Sequence, residues 1–77
     1  MGFTQKHEQY LAFIHCYTKI NGRAPAETDM QRHFEVTAPL VHQMVVTLER
    51  LGFISRIPGQ ARSIELRVEQ AHLPDLE

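Results

Sequence analysis

The hydrophobic period of this chain changes once, at Leu51-Gly52-Phe53-Ile54, and that change restricts the folds open to it. Before it, apolar residues recur at helical spacing. Tyr10, Phe13, Ile14, Tyr17 and Ile20 form one such segment, Met30 and Phe34 a second, and Val41, Met44, Val45, Leu48 and Leu51 a third. After it the period falls to two, in Phe53-Ile54-Ser55-Arg56-Ile57 and Ser63-Ile64-Glu65-Leu66-Arg67-Val68. The order is therefore helix, helix, helix, hairpin.

Local signals set the boundaries. Thr4 suits an N-cap with Phe3 as staple, and Asn21-Gly22 tolerates the left-handed conformation that ends a helix. Pro25 keeps Ala24 extended, so the second helix starts at about Glu27 or Thr28 and runs to Phe34. Glu35-Val36-Thr37 leaves room only for a tight turn. Thr37 then caps the third helix, with Pro39 in its first turn, where a missing N–H costs nothing, and Gly52 as its C-terminal stop. Pro58-Gly59 fits the centre of a type II turn between the two strands. A short turn between the second and third helices, followed by a hairpin, is the order of a winged helix-turn-helix. The expected fold is mainly α with a small β-hairpin wing, spanning residues 1–68, followed by a polar tail over 69–77. Its expected core includes Phe13, Ile14, Tyr17, Phe34, Val41, Val45, Leu48, Ile54, Ile64 and Leu66.

Composition excludes several functions. The 77 residues make one domain, and the single Cys16 forms no intramolecular disulfide; it reads as a small buried hydrophobe. The N-terminus lacks a signal-peptide core and no apolar run reaches membrane-spanning length, so a cytoplasmic protein is expected. His7, His15, His33, His42 and His72 have neither i,i+4 spacing nor a cysteine partner set, which argues against a metal site. Cys16 and His15 are helix neighbours that point apart, and there is no phosphate-cradling loop. No catalytic function, cofactor or small-molecule substrate is expected. Net charge is −1, yet over residues 50–68 Arg50, Arg56, Arg62 and Arg67 stand against Glu65 alone. One end of the fold is thus expected to be locally basic.

Val41-His42, Leu48-Glu49-Arg50, Gly52-Phe53-Ile54 and the wing segment Pro58-Gly59-Gln60-Ala61-Arg62-Ser63-Ile64-Glu65-Leu66 resemble the DNA-binding domain of LexA-type repressors. The likeness covers about residues 3–67. It implies a transcriptional regulator that binds duplex DNA, with a recognition helix over about 37–51 in the major groove. The wing, 53–68, would lie on flanking backbone or minor groove. The chain stops where such repressors continue into a self-cleaving peptidase domain, so cleavage-triggered induction is not expected of it. The turn before the third helix also looks one residue shorter than the family pattern.

On this resemblance Thr37, Pro39, Leu40, His42 and Gln43 fall on the base-reading side. Gln43 can pair bidentately with adenine, His42 can donate or accept at a base edge, and Pro39 and Leu40 can pack on a thymine methyl. Arg56 and Arg62 bracket the hairpin, where guanidinium groups suit phosphates or a narrow minor groove, and Gln60 adds a neutral phosphate contact. Arg50, near the helix C-terminus, is read as stabilising the dipole. The expected partners are double-stranded DNA and, through aromatic surface around Phe3, Tyr10 and Tyr17, a weakly associated second copy. The alternative is a winged-helix protein-interaction module, in which Leu40 and Val46 form the contact patch.

Overall fold

The computed structural model describes residues 5–68. Helix α1 spans Gln5–Asn21, α2 Glu27–Phe34 and α3 Ala38–Arg50; strands β1, Ile54–Ser55, and β2, Glu65–Leu66, pair antiparallel. This is a winged helix. Thr4, Phe3 and the tail with Leu73 and Leu76 lie outside the described residues.

The core forms where one face of each helix meets the base of the wing. Tyr10 to Ile14 are five consecutive buried residues of α1. Met30 of α2 and Val41, Val45 and Leu48 of α3 are wholly enclosed, and Ile54 and Ile64 close the cluster from the wing. Burying each such side chain is worth about 1.5–3 kcal/mol. Between α1 and α2 the packing is aromatic: Tyr10 stacks on Phe34 with ring centroids 4.1 Å apart, and Phe13 on His33 at 4.6 Å.

The turns follow their sequence signals. Gly22, Gly52 and Gly59 all have positive φ. At the end of α3 the N–H of Gly52 donates to the Glu49 carbonyl and that of Phe53 to the Leu48 carbonyl, both at 3.0 Å. That pair of bonds is a Schellman closure, which satisfies the last carbonyls and turns the chain into β1. In the wing, Gly59 has φ +79° and the Gln60 N–H donates to the Ile57 carbonyl at 3.1 Å, completing the type II turn.

Several expectations need correction. Ile20 is 81% exposed, because α1 runs past the elements packed on it and residues 18–23 all face solvent. Tyr17, Phe34 and Leu66 are half-buried at the edge of the core, and Cys16 is half-buried beside it. Leu11, absent from the expected core, is fully enclosed. Thr37 occupies the N-cap position of α3 without a side-chain capping bond. Tyr10 is buried within its own fold and stacked on Phe34, so it adds little to an aromatic surface for a second copy. Each strand is two residues long, because Pro58, Gly59 and the left-handed Arg62 divert the backbone from the ladder. The register sets Ile54 opposite Leu66 and Ser55 opposite Glu65. Ser63 takes over where the ladder ends: its Oγ accepts from the Ile57 N–H at 2.9 Å and lies 2.8 Å from the Gln60 carbonyl as donor.

Leu48→Ala is expected to cost about 2–5 kcal/mol of unfolding free energy by leaving a cavity at the centre of the core. Ile20→Ala should stay within about 0.5 kcal/mol of wild type, since its side chain is already in water. Urea denaturation of the two variants checks the pair. Equal losses would mean that α1 or α3 docks in a different rotation.

Candidate nucleic-acid interface

Turning Val41, Val45 and Leu48 into the core fixes what α3 shows to solvent. At about 100° per residue, Pro39, Gln43, Val46 and Arg50 form the row opposite them. All four are exposed, and the row carries no acidic residue. Val46, expected in a protein-contact patch, and Arg50, expected to serve the helix dipole, both belong to this row; spacing i, i+4, i+7, i+11 from Pro39 is the signal that groups them.

The remaining base-facing candidates flank this row. Thr37 stands at its start, exposed at the helix N-terminus. His42 leans toward α2, with its Nδ1 3.1 Å from Glu27 Oε2. If Nδ1 carries the proton toward that carboxylate, Nε2 of the neutral ring is left as an acceptor facing outward. Leu40 lies on the other flank, lining a groove of about 720 Å³ with Tyr10, His33, Phe34 and Val36. Gln43 and Pro39 are therefore central, whereas His42 and Leu40 look to opposite sides.

The wing arginines are less free than their positions in the sequence suggest. Arg56 Nε donates to Glu49 Oε1 at 3.1 Å, drawing the guanidinium back against α3. Arg62 Nη1 donates to the Tyr17 hydroxyl at 3.1 Å and to the Ala24 carbonyl at 3.2 Å, and lies 3.1 Å from Asp29 Oδ2. The local positive charge expected over residues 50–68 is thus offset by Glu49 just before that stretch and by Asp29 from α2. Gln60 is exposed at the tip of the wing. Between the tip and the start of α2 runs a second groove of about 420 Å³, lined by Glu27, Thr28, Gly59 and Gln60 among others.

Asp29 joins these elements. Its carboxylate accepts the Ala26 N–H at 2.8 Å, the one arm of a capping box that can form at the start of α2, since Ala26 has no side-chain acceptor to return the bond. That backbone bond holds the Asp29 carboxyl below its ordinary range, against the opposing effect of burial, with help from the charge of Arg62, the Tyr17 hydroxyl and the charge of Arg32. Among the described residues, no group of three or more His, Cys, Asp or Glu is placed to hold a metal ion. Nor is any helix there long and apolar enough to cross a membrane.

No family model matches the chain. The LexA repressor of Thermosipho melanesiensis is 40% identical over 63 residues, covering 82% of this chain and 32% of that protein. The LexA repressor of Thermosipho africanus is 37% identical over 73 residues, covering 92% of this chain and 37% of its own length. The chain is LexA-like. It spans about a third of the length of these curated relatives. The LexA-like likeness takes in α3 and the wing together, the two elements that frame the exposed row.

Because the Asp29 carboxyl is lowered in the folded state, its stabilisation is complete above the ordinary value of 3.8 and lost as pH falls through the lowered one. Asp29→Asn should therefore melt below wild type at neutral pH, with the gap closing as the pH drops below about 4. Thermal melts across pH 7 to 2.5 check this. A gap independent of pH would mean that the carboxylate charge contributes nothing.

Proposed function

We propose that this chain is a sequence-specific duplex-DNA-binding transcriptional regulator acting as a repressor, as the names of its relatives suggest. In this reading α3 lies in the major groove and the wing follows the flanking backbone or minor groove. The observation that carries it is the uncovered row Pro39–Gln43–Val46–Arg50, free of acidic side chains on a helix that the core holds rigidly. Gln43 reads adenine through its amide, and Pro39 and Val46 pack on thymine methyl groups. His42 offers Nε2 at a base edge from the α2 flank, while Thr37 and Leu40 reach the groove edges. Arg50 meets a phosphate, with Gln60 adding a neutral contact at the wing tip. Arg56 reaches DNA only by exchanging Glu49 for phosphate, a swap of one anion for another.

One module of this size buries about 600–1,000 Å² on DNA, so useful affinity calls for two copies on a paired site. With Tyr10 buried, the coupling between copies is supplied by the DNA rather than by an aromatic patch among the described residues. The groove beside Leu40 favours a second reading, a protein-interaction module, and the test below separates the two.

Anisotropy titrations on a duplex selected from a random pool, and on random duplex, distinguish reading from positioning. Gln43→Ala should cost about 1–3 kcal/mol on the selected site and little on random duplex, with the salt slope unchanged. Arg50→Ala should weaken both duplexes by a similar factor and flatten the slope of log affinity against log salt by about 0.9. Both variants binding DNA like wild type would refute the α3 row as the contact surface, and no duplex binding at low salt at all would refute the DNA reading in favour of the protein-interaction module.

A further inference from the structure

We propose that Arg62 is a wing-positioning residue, which latches the tip of the wing to the start of α2 through Tyr17, Ala24 and Asp29 and so presents Gly59 and Gln60 to DNA already in place. The inference deepens the DNA-binding reading above and rests on it. Two independent features of the structure meet at this residue. Its backbone has φ +59°, a left-handed conformation that a side chain with a Cβ adopts only when its surroundings over-determine it. Its guanidinium supplies that determination. Nη1 reaches the Tyr17 hydroxyl at the end of α1, the Ala24 carbonyl in the α1–α2 connection and the Asp29 carboxylate in the first turn of α2. The Arg62 Cζ also lies 5.9 Å from the centroid of the Tyr17 ring.

The wing needs such a latch. Its ladder is two residues long on each strand; of the nine residues between them Arg56 is tied to Glu49 and Ile64 to the core, while apart from Arg62 the tip between has one turn bond and the bonds of Ser63. A hairpin so short does not hold its own tip. An unlatched tip has to be ordered when DNA binds, and apparent affinity falls by the fraction of molecules whose wing is already in position. Arg62 thus assists binding without touching phosphate. Tyr17 belongs neither to the exposed row of α3 nor to the wing; its hydroxyl acts on the tip through the Arg62–Asp29 latch.

The test uses the whole chain in two measurements, amide hydrogen exchange without DNA and anisotropy with a salt series. Tyr17→Phe removes one hydroxyl and keeps the ring; Arg62→Lys keeps the charge but not the fork. Both should speed exchange at the Ile57 and Gln60 amides relative to the amide of Leu48, buried within α3, which reports global folding. Both should weaken selected and random duplex alike by ~3–10-fold, the scale of losing one or two hydrogen bonds, without changing the salt slope. The double variant should bind no worse than Arg62→Lys alone, because the two changes break one latch. Wing exchange unchanged in both variants would overturn the latch whether or not DNA binds. Faster wing exchange with unchanged DNA affinity would overturn its role in binding. An Arg62→Ala variant whose salt slope flattens by about 0.9 while wing exchange stays put would make Arg62 a phosphate contact instead. If wild type binds no duplex, the DNA reading fails on its own and the exchange data still decide whether the latch exists.

Discussion

The full burial of Val41, Val45 and Leu48 on one side of α3 is the constraint on which the rest of the structure depends. It sets the rotation of the helix about its axis and so dictates which residues face outward. It also brings the C-terminus of α3 against the core at Leu48, whose carbonyl closes the Schellman turn with Phe53. From that turn the chain has one direction available, into β1 with Ile54 tucked under the helices. A change in this apolar row would therefore alter the exposed row and the root of the wing together.

The two ends of the wing are held by different physics. Its root is apolar, through Ile54, Ile64 and Leu66 against the core, with Arg67 N–H bonded to the Phe53 carbonyl at 2.8 Å. Its tip is polar, through Ser63 and the Arg62 network. Apolar burial is indifferent to direction, whereas a guanidinium fork satisfies its acceptors in one orientation. The root thus supplies stability and the tip supplies placement. Pairing Arg56 with Glu49 and Arg62 with Asp29 also explains how a chain of net charge −1 carries four arginines in its last described third without a strongly basic face.

Much of this was legible in the residues. Three helices, the tight turn at Glu35-Val36-Thr37, the stop at Gly52 and the Pro58-Gly59 turn all follow from local signals strong enough to survive packing. Ile20 was misleading because periodicity shows which face of a helix is apolar but not how far the neighbouring elements extend along it. Leu11 was missed for the complementary reason: α1 is covered on more than one side over Tyr10–Ile14, so burial there is wider than one stripe. The wing strands looked longer because alternation persists through residues whose hydrogen bonds go to Ser63 rather than to a partner strand. The site was legible by element but not by side chain. Partners 7 and 33 residues away, Glu49 for Arg56 and Asp29 for Arg62, redirect guanidinium groups that no local pattern distinguishes from free ones.

The claim that joins these parts is that the outward row of α3 and the tip of the wing form one DNA-binding face. Titrating the isotopically labelled chain with a selected duplex and following its amide resonances tests that most directly. The largest changes are expected at His42, Gln43, Val46 and Arg50 and at Gly59 and Gln60, with His33 and Val36 beside the other groove changing little. Changes centred on His33, Phe34 and Val36, or spread evenly over the described residues, would contradict it.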